Sequence, residues 1–202
     1  MNRIEVNIPQ DIQDTTALLR SMLDHFVSEM VSLNLIRPGW QVSTSYMLTV
    51  GQGLQARLAR GEKTAIVYRG LALHSICIKL LHAIGLAETQ GMTPLRVYLE
   101  KIEAEADQKE GGRSSREIVR RPEYVGVRTI VDRTNVEHPK VSRVLSLVSR
   151  TIDGGSGSKA IVFAQYRDTC EMLTRKLASV PGARVGMLVG QSNGCLLYTS
   201  PS

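Results

Sequence analysis

Residues 159–191 read KAIVFAQYRDTCEMLTRKLASVPGARVGMLVGQ, and the order of patterns inside this stretch decides the fold. Ala160-Ile161-Val162-Phe163 is a continuous apolar run rich in β-branched residues, the pattern of a parallel strand covered on both faces. From Thr169 to Leu177 the apolar Met172, Leu173 and Leu177 recur at helical spacing, Pro181-Gly182 breaks the chain, and Val185 to Val189 supplies a second apolar run. Strand, helix and strand in this order predict a βαβ unit with a right-handed crossover. Ligands of such sheets sit at the carboxyl ends of the strands, so residues 164–167 and 190–191, both polar turns, are the informative positions.

Outward from there, the contiguous series Ile161-Val162-Phe163-Ala164-Gln165-Tyr166-Arg167-Asp168-Thr169, with the returning Val189-Gly190-Gln191, closely resembles the start of the second RecA-like domain of superfamily 2 helicases. The likeness is nearest to the Hef and FANCM branch, in which a strand ending in Phe-x-Gln-Tyr-Arg-Asp-Thr leads into a helix.

The rest of the chain is helical by pattern. Arg3 to Ile8 alternates as a short strand, and Pro9 ends it. Leu19, Met22, Leu23, Phe26, Val27, Met30 and Val31 form a stripe on a helix expected over 12–36, stopped by Pro38-Gly39. Ser43 is a suitable N-cap for a second helix to about Arg60, although Gly51 and Gly53 each cost about 1 kcal/mol relative to Ala there. A third helix, 64–90, is apolar on much of its circumference and should be central in a bundle. Gly91 stops it, and Thr93-Pro94 opens a fourth. Ser114-Ser115-Arg116-Glu117 fits a capping box, a further helix follows Pro122, and another opens after His138-Pro139. Residues 153–158 have the composition of a flexible linker.

This arrangement extends the resemblance. Hef-like helicases carry a helical, thumb-like insertion between their two RecA-like domains, and two local series agree with it: Leu86-Ala87-Glu88-Thr89-Gln90-Gly91 and Glu137-His138-Pro139-Lys140. The fold class expected is mainly α with a C-terminal α/β part. In the division it implies, 1–8 is the end of a preceding RecA-like domain, 9–135 the helical insertion and 136–194 the start of the second RecA-like domain. Residues 195–202, CLLYTSPS, do not continue the pattern and read as a foreign tail. The resemblance thus implies a fragment of an ATP-dependent DNA helicase or translocase acting on branched or forked DNA, intracellular (cytoplasmic) and DNA-associated.

Composition agrees with a polyanionic partner. The net charge is +6, and residues 113–150 hold nine basic and four acidic side chains, so most of the excess lies in one segment. Cys77, Cys170 and Cys195 have neither zinc-site nor disulfide spacing, and no apolar run approaches the ~20 residues of a membrane helix. The four histidines read as structural. Cys170, near a helix start, is either a thiol made acidic there or a small buried residue.

Nucleotide chemistry is missing from the sequence. ATP and Mg²⁺, which the resemblance implies for the intact enzyme, need a G-x-x-x-x-G-K-[ST] loop and acidic ligands. Gly61-Glu62-Lys63-Thr64 carries an extra residue and follows no strand, and Gly155-Ser156-Gly157-Ser158-Lys159 precedes a strand where a phosphate loop should follow one. No catalytic or metal residue is assigned, and the chain alone is expected to hydrolyse no ATP.

The candidate nucleic-acid contacts are of two kinds. Gln165, Tyr166, Arg167, Gly190 and Gln191 lie where helicases of this class present strand-end groups to the sugar-phosphate backbone, and amide, phenol and guanidinium all donate to phosphate. The alternative is that Tyr166 packs on the following helix and Arg167 pairs with a surface acid. Arg116, Arg120, Arg121 and Arg128, with Arg113 and Arg133, form an electrostatic surface if they face the duplex, or a solvated face if they do not. Two other functions remain open: recognition of double-stranded RNA by a related helicase, and a helical module docking an acidic protein.

Overall fold

The computed structural model describes residues 7–39, 42–108, 112–134, 137–153, 158–164 and 167–188. Helix α1 (Gln10–Ser32) starts where Pro9 offers its carbonyl to the N–H groups of Ile12 and Gln13. Its stripe of Leu19, Met22, Leu23, Phe26 and Met30 is buried, as the spacing predicts. The helix stops short of the anticipated Ile36 in a Schellman turn: Leu35 N–H donates to the Met30 carbonyl and Asn34 N–H to Val31, with Asn34 at φ 54°. Helix α2 (Thr44–Ala59) is capped by Ser43, whose hydroxyl accepts the Tyr46 N–H at 3.2 Å. It ends in the same kind of turn, Glu62 N–H to Arg57 and Gly61 N–H to Leu58, with Gly61 at φ 90°.

Helix α3 (Ala65–Thr89), capped by the Thr64 hydroxyl, is the centre of the bundle. It packs against α1, α2, α4 (Met92–Ala106) and α5 (Arg113–Val119), while α6 (Pro122–Arg133) packs on α1 and α4. Arg69, His74, Lys79 and His82 interrupt the apolar residues of α3, so no continuous apolar run there reaches membrane length. Taken as a whole helix, α3 is long and apolar enough to cross a bilayer, yet 56% of its most apolar window is buried inside the protein. Leu73, Ile76, Cys77, Leu80, Ala83 and Ile84 face the core, so α3 is a core helix. The Cys77 thiol is fully buried, 4.0 Å from the Met30 sulfur, and burial pushes its pKa up to about 12. On the opposite side α2 approaches so closely that a Cβ at Gly51 would run into the His74 ring.

The expected capping box at Ser114 does not form. Helix α5 begins two residues earlier, with Gly112 in place of Ser114 at the N-cap and no side-chain cap. The physical reason is competition: the Ser114 hydroxyl accepts from Ser75 (3.3 Å) and Lys79 (3.4 Å), and Glu117 pairs with Arg69, so neither half of the reciprocal cap is available. Helix α6 does start at Pro122. Gly91, at φ 93°, separates α3 from α4 and forms an antiparallel bridge with Glu137.

The chain divides into two compact units between Pro139 and Lys140. The second holds most of α7 (Pro139–Asp153) and all of α8 (Arg167–Leu177), around a small core of Val141, Leu173 and Leu177. The βαβ unit expected there is not seen among the described residues: no strand ladder forms among them, and residues 160–163 are irregular. Ile161 is 81% exposed and Phe163 91%, the reverse of a covered strand. A strand exists only by pairing, and the described residues give this run no neighbour to pair with. The strand expected over 3–8 lies almost wholly outside the described residues.

Candidate nucleic-acid interface

Helix α5 has seven residues, too few to hold itself in water, and its position is imposed by two polar clamps. In the first, Arg69 of α3 makes two-toothed bonds to Glu29 on α1 (2.6 and 2.8 Å) and to Glu117 on α5 (2.8 Å each). These bonds raise the Arg69 pKa and hold the Glu29 carboxyl below its ordinary value, chiefly through the Arg69 hydrogen bond and against the opposing effect of burial. In the second, Lys79 of α3 bonds to Glu105 at the end of α4 and, at 2.5 Å, to Ser115, whose hydroxyl donates to Glu105 at 2.8 Å. Lys79 first and Ser115 second hold the Glu105 carboxyl below the usual range.

The arginines of this region have different fates. Arg116 Nη1 donates to the carbonyls of Ala106 (3.2 Å) and Gln108 (2.6 Å), closing the C-terminus of α4 where a cation is favoured. Arg121 pairs with Glu123 at 2.9 Å and holds that carboxyl low, while its Nη1 lies 3.3 Å from His25. Arg128 bridges Glu103 (3.2 Å) and Asp132 (3.1 Å), and its Nη1 is buried with no acceptor among the described residues. Arg133 pairs with Asp11 at 3.2 Å. Arg113 and Arg120 remain: both are exposed, at the two ends of α5, and neither forms an ion pair among the described residues. Their spacing of seven places them on one face of the helix.

In the second unit Arg167 opens α8, with a highly exposed side chain whose Nε lies 3.1 Å from Glu171. Gln165, Tyr166, Gly190 and Gln191 lie outside the described residues. Cys170 is half-buried and free.

Sequence reasoning passed over Tyr68. The buried positions of α3 run Val67, Gly70, Leu73, Ile76 and onward, and Tyr68 stands off that stripe, 51% exposed. An aromatic residue out of phase with its helix's apolar face was the available signal.

Among the described residues no nucleotide and metal set is found, and the series 155–159 lies largely outside them. Gly61-Glu62-Lys63-Thr64 is a joint between helices, in which Gly61 closes α2, Glu62 pairs with Arg57 at 2.5 Å and Thr64 caps α3. No group of three or more His, Cys, Asp or Glu suited to a metal occurs among the described residues.

The comparisons with known proteins agree with this architecture. A family model described as "Putative ATP-dependent RNA helicase, helical bundle" matches residues 11–137. A putative ATP-dependent RNA helicase of Methanocaldococcus jannaschii is 23% identical over 190 residues, covering 94% of this chain and 23% of that protein. The ATP-dependent DNA helicase mph1 of Sclerotinia sclerotiorum is 25% identical over 211 residues, covering 91% of this chain and 17% of the relative. The crystal structure of the Pyrococcus furiosus Hef helicase domain is similar with a TM-score of 0.74 at 25% identity, over 95% of this chain and 40% of that one. The chain therefore spans at most about a quarter of the length of these two curated relatives. Both the matched bundle and the neighbouring structure bear out the Hef and FANCM likeness, and the chain belongs to the helical-bundle family of putative ATP-dependent RNA helicases.

Proposed function

We propose that this chain is part of an ATP-dependent DNA helicase or translocase acting on branched or forked duplexes, to which its helical bundle contributes contacts with the nucleic-acid backbone. The observation that carries the reading is the pair of uncompensated guanidiniums, Arg113 and Arg120, on one face of a helix that two ion-pair clamps hold in place. Fixed donors of this kind bond phosphate oxygens without reading sequence. In this reading residues 136–194 begin a second RecA-like domain. Further strands would cover the exposed Ile161, Phe163 and Leu188, and Gln165, Tyr166, Arg167, Gly190 and Gln191 would meet the backbone at the strand ends. ATP and Mg²⁺ belong to other parts of the intact protein, and the chain alone turns over no ATP.

The test is fluorescence anisotropy of the purified 202-residue chain with forked DNA, linear duplex DNA and double-stranded RNA across a salt series. Forked DNA should bind most tightly, with affinity falling steeply between about 50 and 200 mM salt. Arg120→Gln should reduce the salt slope by roughly one. A preference for double-stranded RNA would favour a second reading, for which the family description and the archaeal relative's name speak. Salt-independent binding, or DNA-stimulated ATP turnover by this chain, would contradict the proposal.

A further inference from the structure

Beside the N-terminal end of α5 lies a groove of about 320 Å³ between the first two turns of α3 and the start of α5, lined by Ala65, Tyr68, Arg69, Ala72, Arg113 and Glu117. We infer that it seats one unpaired nucleotide, with Tyr68 as the stacking platform and Arg113 as the phosphate contact. This rests on the nucleic-acid reading above and names the feature of the substrate that the bundle prefers.

The groove's chemistry selects its occupant. Arg69 is locked between Glu117 (2.8 Å) and Glu29 (2.6 Å), so its charge is fully taken up by carboxylates, and the lining cation with no carboxylate partner among the described residues is the Arg113 guanidinium. Tyr68, 51% exposed, lines the same groove as that charge. The ring belongs to no core cluster, and its hydroxyl has no partner among the described residues. Ala65 and Ala72 lie one turn to either side of Tyr68 on α3 and leave its ring open to an approaching plane.

One aromatic face next to one cation complements a nucleotide, whose base stacks while its phosphate bonds the guanidinium. A paired base keeps both faces inside its own stack and cannot use the ring. An acidic peptide would satisfy Arg113 and leave Tyr68 idle. The favoured ligand is therefore a base outside the helix, as at a bulge or the junction of a branched duplex.

The full chain should be titrated into a DNA duplex carrying a single-nucleotide bulge of 2-aminopurine, and into the same duplex without the bulge. Stacking on Tyr68 should quench the bulged fluorophore, and the bulged duplex should bind more tightly. Tyr68→Ala should remove about tenfold of the affinity for the bulged duplex, leave the continuous one unchanged and abolish the quench. Tyr68→Phe, which keeps the ring, should behave as the native chain. Arg113→Gln should weaken both duplexes alike and lower their salt slope. A Tyr68→Ala variant that binds the bulge normally, or that weakens on both duplexes equally, overturns the inference. No binding of either duplex by the native chain would instead overturn the reading beneath it.

Discussion

At the scale of single residues, Gly51 and Gly53 lower the helix propensity of α2 alike, yet their surroundings differ. A Cβ at Gly51 meets the His74 ring below contact distance, whereas one at Gly53 has nothing within 4 Å. Gly53→Ala should therefore stabilise the chain by up to about 1 kcal/mol. Gly51→Ala should cost about 1–3 kcal/mol, because the new Cβ would overlap the buried His74 Nε2 and the ring would have to move. Urea denaturation midpoints for the two variants read the difference directly. His74 itself has its Nε2 buried with no partner among the described residues, and burial depresses its pKa although the Met47 backbone opposes this. The unfolded chain thus takes up a proton more readily than the folded one. Stability should fall as pH drops from the ordinary histidine value, ~6.5, through the lower folded value.

At the scale of elements, the short α5 stays in register because Glu29, Glu105 and Glu117 meet Arg69 and Lys79. Glu29, Glu105 and Glu123 all have depressed pKa values, owing first to Arg69, Lys79 and Arg121 respectively. Their stabilisation is complete above the unfolded carboxylate value and is lost as pH falls through the lower folded values. A second acid-sensitive phase is expected below about pH 4.5, separate from that of His74. His74→Gln should remove the upper phase and leave the lower, as measured by denaturation midpoints across pH. These clamps also explain why only part of the candidate interface was legible in the sequence. Arg113, Arg116, Arg120, Arg121 and Arg128 look equivalent in a string, but Glu123 sits two residues from Arg121 and Glu103 lies on another helix from Arg128. Which arginines stay free depends on contacts between distant residues, and no local pattern encodes those.

At the scale of the molecule, the helices of the first unit could be read from periodicity because each has its own stripe and its own stop, such as Gly61 or Gly91. The apolar runs at 160–163 and 185–188 could not be read so directly, because a strand depends on a partner and a helix does not. The two units also differ in what buries them. The first has a core that includes Leu19, Met22, Ile76, Leu80, Leu95 and Leu99; the second buries Val141, Leu173 and Leu177. Hydrogen exchange should therefore find the amides of α3 protected to the level of global unfolding, and those of α7 and α8 exchanging far sooner. Equal protection in both units would contradict this.

The thiol of Cys77 can serve as a clock for the same event. It is wedged between α1 and α3 and held protonated, so a disulfide reagent can reach and react with it only when those helices part. Mass spectrometry of the modified peptides would separate its slow reaction from that of Cys170, and the slow rate would time the opening of the bundle with no dye or inserted label.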